Sequence, residues 1–170
     1  MNWNPFKKKG EDKQEPDLLN LNLVDLKPGY VLDYDLKTWE VTAQHLYDYE
    51  GDKVEEWELT CSDDVVYLDG EDDDGFTWIL TQKISLSEVD DDLKTYLDEN
   101  EEPPEQIICD GVTYEAKSSS TGKFHKNRSG SGDDFIVWDY LDVTERKVLV
   151  IEQWGDDDYE ASIGKVVEEY

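Results

Sequence analysis

The feature that most limits what this chain can fold into is a stretch that occurs twice. Val65 to Leu80 reads VVYLDGEDDDGFTWIL, and Val148 to Ile163 reads VLVIEQWGDDDYEASI. Laid over each other without a gap, Leu68 meets Ile151, Phe76 meets Tyr159 and Leu80 meets Ile163. Large apolar residues therefore recur at matched positions around a run of carboxylates. Each copy reads as a strand, an acidic turn and a strand, the pattern of a β-hairpin. The economical account is a duplicated hairpin, with two like halves sharing one body.

The segments ahead of the hairpins repeat as well. In Leu26 to Tyr34 (LKPGYVLDY), Pro28-Gly29 marks a turn before a short strand. Thr38 to Tyr47 alternates Trp39, Val41 and Ala43 with Glu40 and Thr42, the period of a sheet with one buried face. After a turn at Gly51, the next strand sets Trp57, Leu59 and Cys61 opposite Glu56, Glu58 and Thr60. Val112 to Lys117 echoes Thr38 to Thr42, and Phe135 to Leu141 echoes Val54 to Leu59, with Trp138 in the place of Trp57.

The expected fold is mainly β: duplicated small SH3-like, bent β-barrel halves with one short connecting helix. The expected divisions are a flexible tail over 1–20, a first β repeat over 21–86, an acidic helical connector over 87–105 and a second β repeat over 106–170, all in one compact unit. The connector helix is expected to open at Ser87, with Asp90 as a capping-box-like partner, and to dock through Val89, Leu93, Tyr96 and Leu97. Pro103 and Pro104 end it. Trp39, Trp57, Trp78 and Trp138 are expected in the core.

Charge narrows the function classes. Against 16 Lys and Arg stand 44 Asp and Glu, a net charge of −28. Such a field repels nucleic-acid phosphates and anionic head groups, so nucleic-acid binding by the body is not expected. It leaves a basic protein partner, a polyamine or divalent cations, beside the plain alternative of a solvated acidic surface. Aromatic residues at 12%, including six Trp and ten Tyr, supply the core formers that disordered chains lack.

Cys61 and Cys109 stand far apart in no ligand spacing and read as small core residues. With no apolar run of about 18 residues and no signal-peptide core, a cytoplasmic protein is expected. Trp3, Phe6 and Lys7 to Lys9 give the tail peripheral membrane contact at most, since each lysine adds only about 1 kcal/mol near an anionic surface.

The motifs that carry chemistry are few. The run Asp69 to Gly75 departs from the EF-hand spacing. Asp72, Asp73 and Asp74, with their repeat Asp156, Asp157 and Asp158, are candidate cation or partner contacts, or solvated hairpin turns that discourage edge pairing. Ser118 to Gly132 reads as a long Ser/Gly-rich loop that carries Lys123, His125, Lys126 and Arg128; it is either disordered or an anion-contacting loop. His45 reads as a strand residue at the core boundary. No nucleophile motif, metal spacing or phosphate loop occurs, so no catalytic, cofactor-binding or metal-ligating residue is assigned.

Taken in order, LKPGYVLDY (Leu26 to Tyr34), TWEV (Thr38 to Val41), EWEL (Glu56 to Leu59), WDY (Trp138 to Tyr140) and YEASIG (Tyr159 to Gly164) resemble the bacterial domain of unknown function 4178 family over about residues 25 to 170. The resemblance implies no catalytic residues. It implies a genomic setting near phage-shock-like membrane-stress proteins and homologues of polyamine-synthesising enzymes. The expected function is a non-catalytic interaction module docking on a basic partner, in a membrane-stress-related assembly. The alternatives are a small-molecule or cation (polyamine) binding protein, or an enzyme of polyamine-related metabolism.

Overall fold

The computed structural model describes residues 22–72 and 76–168. The expected tail, together with Asp73 and Asp74, lies outside the described residues. The chain runs β1 (Val31–Tyr34), β2 (Lys37–Tyr49), β3 (Asp52–Cys61), β4 (Asp64–Asp72), β5 (Phe76–Ile84), α1 (Leu86–Val89), α2 (Leu93–Asn100), β6 (Gln106–Cys109), β7 (Val112–His125), β8 (Asp133–Leu141), β9 (Lys147–Gln153) and β10 (Tyr159–Val167). The mainly β class holds.

All ten strands form one antiparallel sheet ordered β1-β2-β3-β4-β5-β10-β9-β8-β7-β6, and a further β2–β7 pairing closes it into a ring of eight. Both halves thus contribute the same order of five strands, and the ring is closed by the two together. Within each half the matched tryptophans sit beside the matched hairpin residues: Trp57 pairs with Leu68 and Trp138 with Ile151.

Alternation along the strands sends successive side chains to opposite faces. In the first half the outward set, Trp39, Val41, Trp57, Leu59, Leu68 and Trp78, is covered by Leu32 of β1 and by Leu23 and Leu26. The Trp57 indole nitrogen donates to the Leu26 carbonyl at 2.9 Å, so the one polar atom of this large side chain is satisfied in the core. In the second half Tyr114, Tyr140, Leu149, Ile151 and Ala161 are covered by α1, α2 and β6 through Val89, Leu93, Leu97 and Ile107. Trp138 packs at the margin of that cluster, half-buried.

Three expectations change. The connector is two short helices, and the cap is Ser85: its hydroxyl accepts the Glu88 N–H while the Glu88 carboxylate accepts the Ser85 N–H. Ser85-x-x-Glu88 and Ser87-x-x-Asp90 share one spacing, and the earlier pair captures the chain as it leaves β5. Tyr96 lies on the exposed side of α2 rather than in the docked stripe. The stretch read as a loop from Ser118 to Gly132 is mostly strand: β7 continues to His125, and a 3-10 turn covers Lys126–Arg128. Its small polar residues are strand because partners flank both edges, β8 along Glu115 to Phe124 and β2 along Lys123 to His125.

Both seams between the halves need a glycine. A Cβ on Gly122 of β7 would stand 2.5 Å from the Asp48 carbonyl oxygen of β2. One on Gly164 of β10 would collide with the Leu80 carbonyl oxygen of β5.

Candidate functional site

The face of the strands opposite the two outer cores is enclosed by the ring, and it is not simply apolar. Tyr47, Phe135 and Val137 form a third cluster there, with Phe124 and Trp154 against it. Next to them lie carboxylates. Glu56 of β3 and Asp69 of β4 are register partners and lie side by side on the enclosed face. Across the ring, Tyr47 Oη donates to Glu152 Oε1 of β9 at 3.0 Å. Asp139 of β8 stands beside β9 opposite Val150 and accepts from Ser118 Oγ at 2.8 Å. Glu56 and Glu152 are each 8% exposed. Asp69 Oδ1 is sealed from solvent and has no hydrogen-bond partner among the described residues.

Burial decides the protonation of this set. A carboxylate removed from water and placed beside other carboxylates favours its neutral form. Burial, then the charges of Asp69 and Glu152, push Glu56 well above the carboxylate range. Burial, then the Glu152 and Asp139 charges, push Asp69 up to about 8. Burial raises Glu152 to about 7, against the opposing pull of the Tyr47 hydrogen bond. Burial also raises Asp139, against the Ser118 bond. Lys83 lies nearby; burial alone would lower its pKa, but the Glu160 carboxylate at 2.6 Å outweighs this and raises it. The arrangement can hold protons between two halves of a protein at neutral pH.

A second feature opens on the surface where β2 meets β7. It is a cleft of about 640 Å³ lined by Asp48, Glu50, Lys123, Asp134, Phe135, Trp154 and Asp156, among others. Aromatic side chains meet carboxylates here, and Lys123 is bound to Asp134 at 2.7 Å. Among the described residues, Asp156 is the one expected acidic-turn residue that lines the cleft. Asp157 and Asp158 are exposed in the β9–β10 turn. The Asp72 backbone belongs to β4, and its side chain lies outside what is described, as do Asp73 and Asp74.

The basic residues expected to gather do not converge on one point. Lys123 binds Asp134, Arg128 binds Glu55 at 3.0 Å, His125 Nδ1 is 3.1 Å from the Gly130 carbonyl oxygen, and Lys126 opens the 3-10 turn. His45 is only 4% exposed, and its Nδ1 accepts the Asn127 N–H at 2.9 Å. Burial holds its pKa below the usual histidine range. Among the described residues, Cys109 is buried and Cys61 half-buried, both free, no group of His, Cys, Asp and Glu has metal-holding geometry, and no helix is long and apolar enough to cross a membrane.

Ring, paired seams and enclosed carboxylates define a class: an antiparallel β protein whose two halves close around an acidic interior. The chain belongs to the DUF4178 family, a domain of unknown function whose model matches residues 27–169. A relative described as an uncharacterized protein, from Aquifex aeolicus (strain VF5), is 29% identical over 159 residues, covering 86% of this chain and 89% of the relative. No solved structure matches the chain.

Proposed function

We propose that this protein is a non-catalytic docking module for a basic protein partner, with the β2–β7 cleft as the place where a cationic side chain of that partner is taken. The observation that carries this reading is the cleft's lining. Asp48, Glu50, Asp134 and Asp156 stand around Phe135 and Trp154, so a lysine or arginine can bury its aliphatic stem on aromatic surface and place its charge among carboxylates. The net charge of −28 steers such a partner towards the protein. A polyamine is the second reading. The cleft volume of about 640 Å³ supports it, since small-ligand sites span roughly 300–1,000 Å³.

Titration calorimetry with a lysine-rich peptide and with spermidine tests both readings. Peptide heats that weaken from low to high salt, and weaken again when Asp48, Glu50, Asp134 and Asp156 are replaced by their amides, are the expected result. Spermidine heats with none from the peptide favour the second reading. Peptide and spermidine heats unchanged in the four-fold variant remove the cleft from both.

A further inference from the structure

The two seams that close the ring are unequal. β5 and β10 share seven register pairs, from Ala161–Ile84 to Val167–Trp78. β2 and β7 share three, from Leu46–His125 to Asp48–Lys123. The shorter seam is reinforced by the Asn127 N–H to His45 bond, by the Arg128–Glu55 pair, and from inside the ring by Tyr47. That side chain packs on Phe124 and Phe135 of the second half and donates to Glu152. The carboxylates next to it belong to both halves: Glu56 and Asp69 to the first, Asp139 and Glu152 to the second.

We propose that the β2–β7 seam is a proton-controlled clasp: the enclosed carboxylates hold the two halves together while they share protons, and release this seam, with β5–β10 as the hinge, when they ionise. The clasp stands independently of what the cleft binds. Its physical basis is that neighbouring carboxylates in a sealed interior cannot all carry charge without water, and the seam with the fewest backbone hydrogen bonds is where water enters most readily.

The groups facing the cluster do not remove the problem. β2 contributes His45, whose pKa burial lowers, and Tyr47 and Tyr49, whose hydroxyls burial keeps protonated. β3 adds Glu58, bonded to Thr42 at 2.7 Å. β4 adds Tyr67, also raised by burial, and Glu71 at its exposed end. β5 supplies Lys83 and β10 supplies Glu160, and these two form their own pair at 2.6 Å. β7 presents Ser118, whose hydroxyl binds one Asp139 oxygen. Among the described residues, the only lysine facing the set therefore already has a carboxylate partner, and loss of the shared protons leaves like charges opposed across the ring.

Hydrogen exchange of the full chain, followed by mass spectrometry from pH 5 to pH 9 and corrected for the intrinsic pH dependence of exchange, tests the clasp. Amides of 44–49 and 120–125 are expected to lose about tenfold or more protection relative to amides of 78–84 and 161–167, the change that one unit of altered proton affinity produces. The double variant Asp69→Asn, Glu152→Gln, which mimics the protonated groups, is expected to keep the short seam protected at pH 9. Glu152→Gln alone, which retains an oxygen to accept from Tyr47, serves if the double variant does not fold. Equal loss at both seams, an unchanged short seam in the wild type, or a variant that follows the wild-type pH course would overturn the proposal.

Discussion

Trp57 shows how much one residue decides. It is 1% exposed, contacts Trp78 with ring centroids 5.8 Å apart and fixes the segment before β1 through the Leu26 carbonyl. Replacing it by Ala empties an aromatic site and strands that carbonyl, so a loss of about 3–5 kcal/mol is expected, measured by urea denaturation. A loss under about 1 kcal/mol would mean that the site collapses and that the outer core is not built on this ring. Trp57, Trp39 and Trp78 were legible as core because they alternate with polar residues. Glu56 and Glu58 were not legible as facing an enclosed space. Alternation separates two faces of a strand but does not tell which faces are covered, and the Glu152 carboxylate that Glu56 senses across the ring belongs to β9, far along the chain.

At the scale of elements, strands bounded by local turn signals were legible and strands made by distant partners were not. The hairpins β4–β5 and β9–β10 both form, because apolar alternation and an acidic turn are local signals, but their registers differ: Leu68 pairs with Leu80, whereas Ile151 pairs with Ala161 and Ile163 with Leu149. The second half of β7 was hidden. Ser118 to Gly122 has the composition of a loop, yet its last residue, Gly122, is what the β2–β7 approach requires. Gly122→Ala is therefore expected to destabilise by about 1–3 kcal/mol, the scale of overpacking, whereas Gly155→Ala, at a glycine with open space around it, is expected to stay within about 0.5 kcal/mol. Thermal denaturation of the two variants side by side makes the comparison, and equal melting temperatures would refute the close approach. The helix start turned on a choice between two serines with the same spacing. Ser85→Ala is expected to cost about 0.5–2 kcal/mol and Ser87→Ala markedly less, since Ser85 accepts the Glu88 N–H.

Over the whole molecule, the enclosed carboxylates reverse the usual dependence of an acidic protein on pH. Folding raises the pKa of Glu56, of Asp69 to about 8 and of Glu152 from 4.5 to about 7, so between the ordinary carboxylate range and about pH 8 the folded state binds more protons than the unfolded chain. Stability then falls as pH rises. The contribution is complete below about pH 4 and disappears as pH climbs through about 7 to about 8. Each tenfold gain in proton affinity is worth about 1.4 kcal/mol, which sets roughly 3 kcal/mol for Glu152 taken alone, as an upper figure because its neighbours compete for the same protons. Glu88, held low by the Ser85 backbone N–H and hydroxyl, and Asp142, held low by the Lys147 N–H and the Thr144 hydroxyl, act in the opposite sense. They do so only where ordinary carboxylates titrate, near pH 4 and below; His45, held below the usual histidine range by burial, also acts in the opposite sense below about pH 6.5, one group against three raised carboxylates, and the window from about pH 7 to 8.5 is left to the interior. Urea denaturation at pH 5, 7 and 8.5 is expected to give a midpoint that falls at each step, and Glu152→Gln is expected to flatten the course between pH 5 and 8.5. A midpoint that rises from pH 5 to 8.5 would mean that the interior acids enter the folded state charged, and that water or a cation reaches them there.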